Sequence, residues 1–187
     1  MVYISENIWD FDLEAALTEI SPQRREQALK FKHEQGQRTC VLAYQLLKQV
    51  LREEYCITEN PLFEYGEHGK PTIIGHPEIH FNLSHCKHAV ACVVSSRPVG
   101  IDVESIREFK ESLIGYTMNE DEIREIESSE NPAASFIRLW TMKEAALKLI
   151  GTGISNDLKT VLADHADFKF TTREASQYVC TVCEPIT

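Results

Sequence analysis

The stretch VGIDVES, residues 99 to 105, constrains this chain more than any other. An apolar alternation runs into it from Ala89 through Val90, Cys92 and Val94. Side chains on a strand alternate faces, so Val99, Ile101 and Val103 share one face and Gly100, Asp102 and Glu104 the other. The first face belongs in a core. The second places two carboxylates side by side, where they repel, and so asks for a partner.

The partner is sought in WTMKEAALK, residues 140 to 148. On a helix Trp140, Glu144 and Lys148 form one stripe, with Lys143 beside it. One reading is a Glu–Lys pair on a solvated face. The other notes that Phe136, Leu139, Trp140 and Leu147 make the stripe border a core, where an acid needs a counter-charge. In that reading Asp102, Glu104 and Glu144 converge on one oxygen-seeking divalent cation. Mg²⁺ suits a site of few carboxylates completed by water and phosphate oxygens. Lys143 and Lys148 then suit phosphate rather than metal. Further phosphate donors in the first half are Lys30, Arg38, Lys70, Ser84 and His85.

The rest of the pattern predicts an α+β fold. A strand opens the chain at VYISEN. Ser21-Pro22 starts a helical pattern reaching to about Tyr55, with Cys40, Tyr44, Leu47 and Leu51 as its buried stripe. Short strands are expected near Leu62–Tyr65 and Thr72–Ile74. IHFNLSH and HAVACVVSS form a strand pair. Thr117, three residues before Glu120, has capping-box spacing for a helix over YTMNEDEIREIESSE, whose acids read as a solvated face. ASFIRLWTMKEAALKLIG is a second long helix closed by Gly151. DFKFTTREASQYVCTVCEP is a last strand pair, and its alternation matches that of HAVACVVSSRP. Two similar α+β halves are therefore expected, 1–98 and 99–187, each with a long helix on a small antiparallel sheet, packed as a single compact unit.

Composition excludes several classes. With 187 residues, 43% hydrophobic and 26% charged, the chain is long enough for a real core and reads as soluble and globular. The net charge of -10 argues against nucleic acid as a main partner. No apolar run is long enough to span a membrane, and the acidic N-terminal stretch does not read as a signal peptide. A cytoplasmic setting is expected. The six cysteines then read as buried thiols. Cys180 and Cys183 form a CxxC, but within a strand that spacing sends them to opposite faces. His85, Cys86 and His88 lack a second ligand pair at zinc-like spacing.

The ordered set GKP (69–71), FNLSHC (81–86), VGIDVE (99–104) and LWTMKEAALKLIGTGI (139–154) resembles the signature motifs of the 4′-phosphopantetheinyl transferases. SPQRREQALKFKHEQGQRT resembles that family's CoA-binding helix. The likeness is to the larger, surfactin-synthetase-activating type, a pseudo-dimer of two similar halves in one monomeric chain. It implies transfer of the phosphopantetheine arm of coenzyme A to a serine of an apo acyl or peptidyl carrier protein, with release of 3′,5′-ADP. It implies Mg²⁺, or Mn²⁺ in its place, held by Asp102, Glu104 and Glu144. Glu144 is also the implied base, and Lys148 stabilises the pyrophosphate. Lys70, Ser84 and His85 match positions at the adenine, ribose and 3′-phosphate end, with Lys30 and Arg38 near the 3′-phosphate. Two departures stand out. Gln27 replaces a basic residue of some relatives, and GEHGKP is two residues longer than YGKP. The competing readings are a catalytically silent CoA- or carrier-binding module, whose mark would be a lost metal acid or a lost Lys148, and a different Mg²⁺-dependent nucleotide enzyme.

Overall fold

The computed structural model describes residues 1–152, 158–164 and 167–186. Gly153 and Ile154, the last two residues of the long helical motif, lie outside them. Eight strands and seven helices are described. The first sheet has the order β1 (Val2–Ser5), β5 (Val90–Ser95), β4 (His80–His85). The second has the order β6 (Gly100–Ser105), β8 (Tyr178–Pro185), β7 (Phe168–Glu174). All pairings are antiparallel. A small ladder of β2 (Phe63–Tyr65) and β3 (Pro71–Ile73) stands apart. The protein is thus a mixed α and β fold on small antiparallel sheets.

The period-2 alternation of β5 explains how the layers stack. Val90, Cys92 and Val94 join one core with Tyr44, Leu47 and Leu51 of helix α3 (Glu34–Tyr55). Ala91 and Val93 point the other way, into a second core shared with Ile101, Val103, Cys180 and Val182 of the second sheet. Beyond that sheet lies helix α6 (Pro132–Ile150), covering Cys183 and Val179. The layers therefore run α3, first sheet, second sheet, α6. The predicted stripe Cys40, Tyr44, Leu47 and Leu51 is buried throughout. Each fully buried leucine of this kind contributes about 1.5–3 kcal/mol. The CxxC splits as expected, with Cys180 in the inter-sheet core and Cys183 against α6, and all six cysteines are free thiols, though Cys56 is exposed and Cys86 half-buried rather than buried as expected.

Three local expectations are corrected. The helical pattern from Ser21 to Tyr55 is not one helix but two. Helix α2 (Pro22–Leu29), after helix α1 (Leu13–Glu19), stops, and α3 begins at Glu34. The break lets the Phe31 ring lie against Gly36, where even a methyl group would come within 2.6 Å of it. Next, Thr117 caps no helix. It ends helix α4 (Glu111–Thr117), its hydroxyl donating to the Leu113 carbonyl at 2.7 Å. The true capping box is Asn119 with Glu122, at the start of α5 (Glu120–Ser128). Finally, Glu122 is not part of a solvated face but buried.

Helix α6 ends as the sequence predicts, with Gly151 in the left-handed region at φ 80°. A short helix α7 (Val161–Asp164) follows. The approach of β6 to α6 rests on Gly100. A Cβ there would stand 2.0 Å from the Ala145 carbonyl oxygen and 2.6 Å from the Leu149 nitrogen. Both are backbone atoms and cannot swing aside. Gly100→Ala is therefore expected to destabilise the fold by at least about 1–3 kcal/mol, the usual cost of overpacking, measured by chemical denaturation. A shift within error would show that β6 and α6 separate without strain.

Candidate active site

The site lies where the two sheets meet under α6. Asp102 leaves β6 on the face turned toward α6 and is buried. Its Oδ1 accepts the Ser84 hydroxyl at 2.9 Å and the Lys148 ammonium at 2.6 Å. Lys148 also donates to Ser84 Oγ at 3.0 Å. The other carboxylate oxygen, Oδ2, is buried with no hydrogen-bond partner. A half-satisfied buried carboxylate is costly to hold and marks a place for a further positive group.

Glu104, two residues along β6, and Glu144, one turn before Lys148 on α6, complete an acidic cluster. Burial raises the Glu144 carboxyl above its ordinary range, the Asp102 charge raises it further, and Lys148 opposes both. Glu104 is raised by burial, then by Asp102, and also by Glu144, with Arg107 and Lys148 opposing. The three acids thus sense one another, as the face alternation of VGIDVES and the helical spacing of WTMKEAALK predict. Among the described residues, no three His, Cys, Asp or Glu side chains already stand in a ligand cage. The donor chemistry still fits a divalent cation, because Asp102 Oδ2 is orphaned and Glu104 and Glu144 add hard oxygen donors that share its repulsion.

Two adjoining cavities lie beside the cluster. One of about 250 Å³ is bounded by Lys70, Asn82, Glu144 and Lys148. The other, of about 240 Å³, is bounded by Arg24, Gln27, Phe31, Tyr65 and His85, and shares Gly69, Pro71 and Asn82 with the first. The Lys70 ammonium donates to the Leu149 carbonyl at 2.6 Å, and burial lowers its pKa. His85 sits with its edge toward the Phe31 ring, 6.4 Å between centroids. Its pKa falls below the usual imidazole range through desolvation, then through Lys148 and Arg24, against an opposing Asp102. On the far side of Glu104 lies a larger groove of about 570 Å³, walled by Phe109, Leu113, Tyr116 and Trp140, with Arg107 and Lys110 at its edge.

Not every expected site residue comes here. Lys143 is fully buried and turned away. Its ammonium donates to Glu122 Oε2 at 2.7 Å and to the carbonyls of Thr117 at 2.9 Å and Leu158 at 2.7 Å. One position of the helical repeat separates it from Glu144, and about 100° of rotation carries it to a different face of α6. Lys30 stays on the surface beside Glu26. Arg38 is held between the Trp9 and Phe11 rings, with bonds to Glu34 and to the Phe11 carbonyl. Conversely, Arg24 and Asn82 face the cavities unforeseen. Arg24 lies in the basic cluster SPQRRE, yet the pattern does not reveal which of its arginines folds inward. Its guanidinium donates twice to the Cys40 carbonyl and once to Gln27 Oε1, so Gln27 serves to hold Arg24.

Comparison with known proteins shows what the chain is similar to. Residues 98–185, which carry Asp102, Glu104, Glu144 and Lys148, match the model of the 4′-phosphopantetheinyl transferase superfamily. The 4′-phosphopantetheinyl transferase psf-1 of Bacillus pumilus is 35% identical over 147 residues, 77% of this chain and 63% of that protein. The chain resembles the 4′-phosphopantetheinyl transferase superfamily, through its second half and through this relative. Other Bacillus enzymes are similar as well. Sfp of Bacillus subtilis is 28% identical over 157 residues, covering 82% of this chain and 70% of Sfp. The transferase gsp of Aneurinibacillus migulanus is 38% identical over 117 residues, 58% of this chain and 48% of gsp. The chain thus spans less than two thirds of the length of psf-1 and about half that of gsp.

Two outcomes test this geometry. Because the folded state holds Glu144 with a raised pKa, it binds that proton more tightly than the unfolded chain does. Stability is then lost as pH rises from the ordinary carboxylate range through the raised value. Glu144→Gln, measured in EDTA, is expected to gain Tm relative to the wild type across that window. A constant difference would contradict the shared repulsion. Lys143→Met is expected to cost about 3–5 kcal/mol, because it leaves Glu122 as a buried charge without its ion-pair partner. A loss under about 1 kcal/mol in chemical denaturation would mean that the pair contributes no more than a surface one.

Proposed function

We propose that this protein transfers the 4′-phosphopantetheine arm of coenzyme A to a serine of an apo carrier protein and releases 3′,5′-ADP. The observation that carries the reading is the Lys148–Asp102 pair, with Asp102 Oδ2 left orphaned and with Glu104 and Glu144 both sensing the Asp102 charge. A cation and a set of hard oxygen donors in one place suit the charge of a pyrophosphate group changing hands.

Each residue's part follows from its position. Asp102, Glu104 and Glu144 would hold Mg²⁺, with Mn²⁺ as a substitute. The bound ion would offset the negative charge of the CoA pyrophosphate. Lys148 lies within reach of that pyrophosphate and neutralises the charge that builds on the departing 3′,5′-ADP as the phosphorus–oxygen bond breaks. Glu144, with its raised pKa, suits a base that takes the carrier serine's proton, directly or through water. The serine oxygen then forms the new bond to phosphorus. Lys70, His85 and Arg24 border the adjoining cavities and suit the nucleotide end of the donor. Ser84 is already committed to Asp102, Lys148 and β6, so a donor contact from it requires Lys148 to move. The apolar groove beyond Glu104 lies opposite the donor cavities and suits the carrier protein.

The same reading takes the chain as two related halves, 1–98 and 99–187, packed as a pseudo-dimer. In each, the leading strand pairs with the last strand of a hairpin, and a long helix intervenes in sequence. The donor cavities lie mainly in the first half and the catalytic helix in the second, so a monomer supplies the whole site. Six free thiols accord with a cytoplasmic setting. Among the described residues no helix is long and apolar enough to cross a membrane.

The test is intact-mass measurement of apo fatty-acid and peptide-synthetase carriers incubated with the protein, CoA and Mg²⁺. One added phosphopantetheine is expected, and none in EDTA. Asp102→Ala and Glu144→Ala are each expected to abolish transfer while keeping the wild-type circular dichroism. CoA binding without transfer to either carrier would favour a silent binding module instead. Near-normal transfer by either variant would sink the metal assignment.

A further inference from the structure

We infer that Asn82 and Ser84 of β4 are positioning residues: their side chains pin β6 at the height where Asp102 and Glu104 face α6. This rests on the transferase reading above. Strands β4 and β6 are the end strands of two different sheets, yet they lie side by side. An end strand presents backbone N–H groups that the sheet leaves unpaired, and burying them unpaired is costly. Here side chains take the place of a neighbouring strand. Asn82 Oδ1 accepts the Ile101 N–H at 3.1 Å, and Ser84 Oγ accepts the Val103 N–H at 3.2 Å.

The spacing is what makes the device work. Asn82 and Ser84 are two apart on β4 and so share a face. Ile101 and Val103 are two apart on β6, so their N–H groups share an edge. The two bonded amides flank Asp102 on either side. All four residues are buried. Ser84 has no spare capacity. A hydroxyl offers one donor and two acceptor positions, and these go to Asp102, Val103 and Lys148. A strand sliding along its axis would break both pins and carry Asp102 away from Lys148. Neither pin touches the ends of the donor cavities by charge, and Asn82 acts on the carboxylates only through β6.

The variant to make is Asn82→Leu, which keeps the volume and removes the acceptor, with Asn82→Ala as the second variant should the first fail to fold. Backbone amide exchange is followed by NMR alongside steady-state transfer to a carrier. The Ile101 amide is expected to exchange faster in the variant, while the β4–β5 ladder keeps its wild-type protection. The kcat is expected to fall about tenfold or more, as a sub-ångström to ångström displacement of reacting groups does, with the KM for CoA close to wild type. Three results would overturn the inference. Unchanged exchange at Ile101 would remove the pin. Faster exchange with unchanged kcat would leave a pin that positions nothing. A raised KM with unchanged kcat would make Asn82 a donor contact, since it also borders both cavities. A wild-type protein that transfers nothing sinks the functional reading and the positioning role with it, and amide exchange alone then judges the pins.

Discussion

Everything around the site depends on one charge pair bridging two elements of secondary structure, Lys148 of α6 and Asp102 of β6. Asp102 is buried, and Lys148 is partly open to the cavity beside it. An isolated carboxylate at that depth would take up a proton or pull in water. The Lys148 ammonium and the Ser84 hydroxyl give one oxygen of this carboxylate two hydrogen-bond donors. Gly100 permits the pair by letting the strand lie against the helix backbone. Ser84 extends it by tying the same carboxylate to the neighbouring sheet. The pair is therefore electrostatic in origin but geometric in effect.

A second ion pair on α6 shows the opposite use of the same chemistry. Lys143 and Glu122 are both buried, and the lysine's partners include two backbone carbonyls as well as the glutamate. Among the described residues no orphaned buried side-chain oxygen lies in this pair. A satisfied buried pair of this type holds segments in register, here α6, the α4–α5 turn and the chain at Leu158. Adjacent residues of one helix thus divide the work. Lys143 faces the packed interior and Glu144 the cavity, because successive side chains on a helix point about 100° apart.

How much of this the sequence discloses depends on the range of the interaction involved. Alternation is local, so the face of VGIDVES that carries the acids is legible at once. The stripe Glu144–Lys148 is equally local, and so is the Gly151 stop. The hairpins and the separation of Cys180 from Cys183 follow from the same period of two. The direction of Lys143 is not legible, since its partners come from residues more than ten positions away, in elements whose packing no periodicity encodes. Glu122 is lost for the same reason, hidden among acids that look solvated. The break at residues 30–33 escapes because Lys32 to Gln35 hold neither a proline nor a glycine to mark a stop. Only the Phe31 ring lodging on Gly36 shows why the rod is cut. Asn82 is the clearest case. An asparagine within a strand carries no signal of its own, and its meaning appears only when the end strand of another sheet arrives beside it.

That cut between α2 and α3 has a mechanical consequence. Helix α3 is locked by a fully buried stripe against the first sheet, whereas α2 presents mostly solvated side chains and sends Arg24 inward as a strut to the Cys40 carbonyl. The break at residues 30–33 makes α2 a separate wall of the cavity that contains His85. Arg24 braces that wall on the Cys40 carbonyl, and Gln23 braces it on the Phe63 backbone. Loosening it would take the loss of both braces.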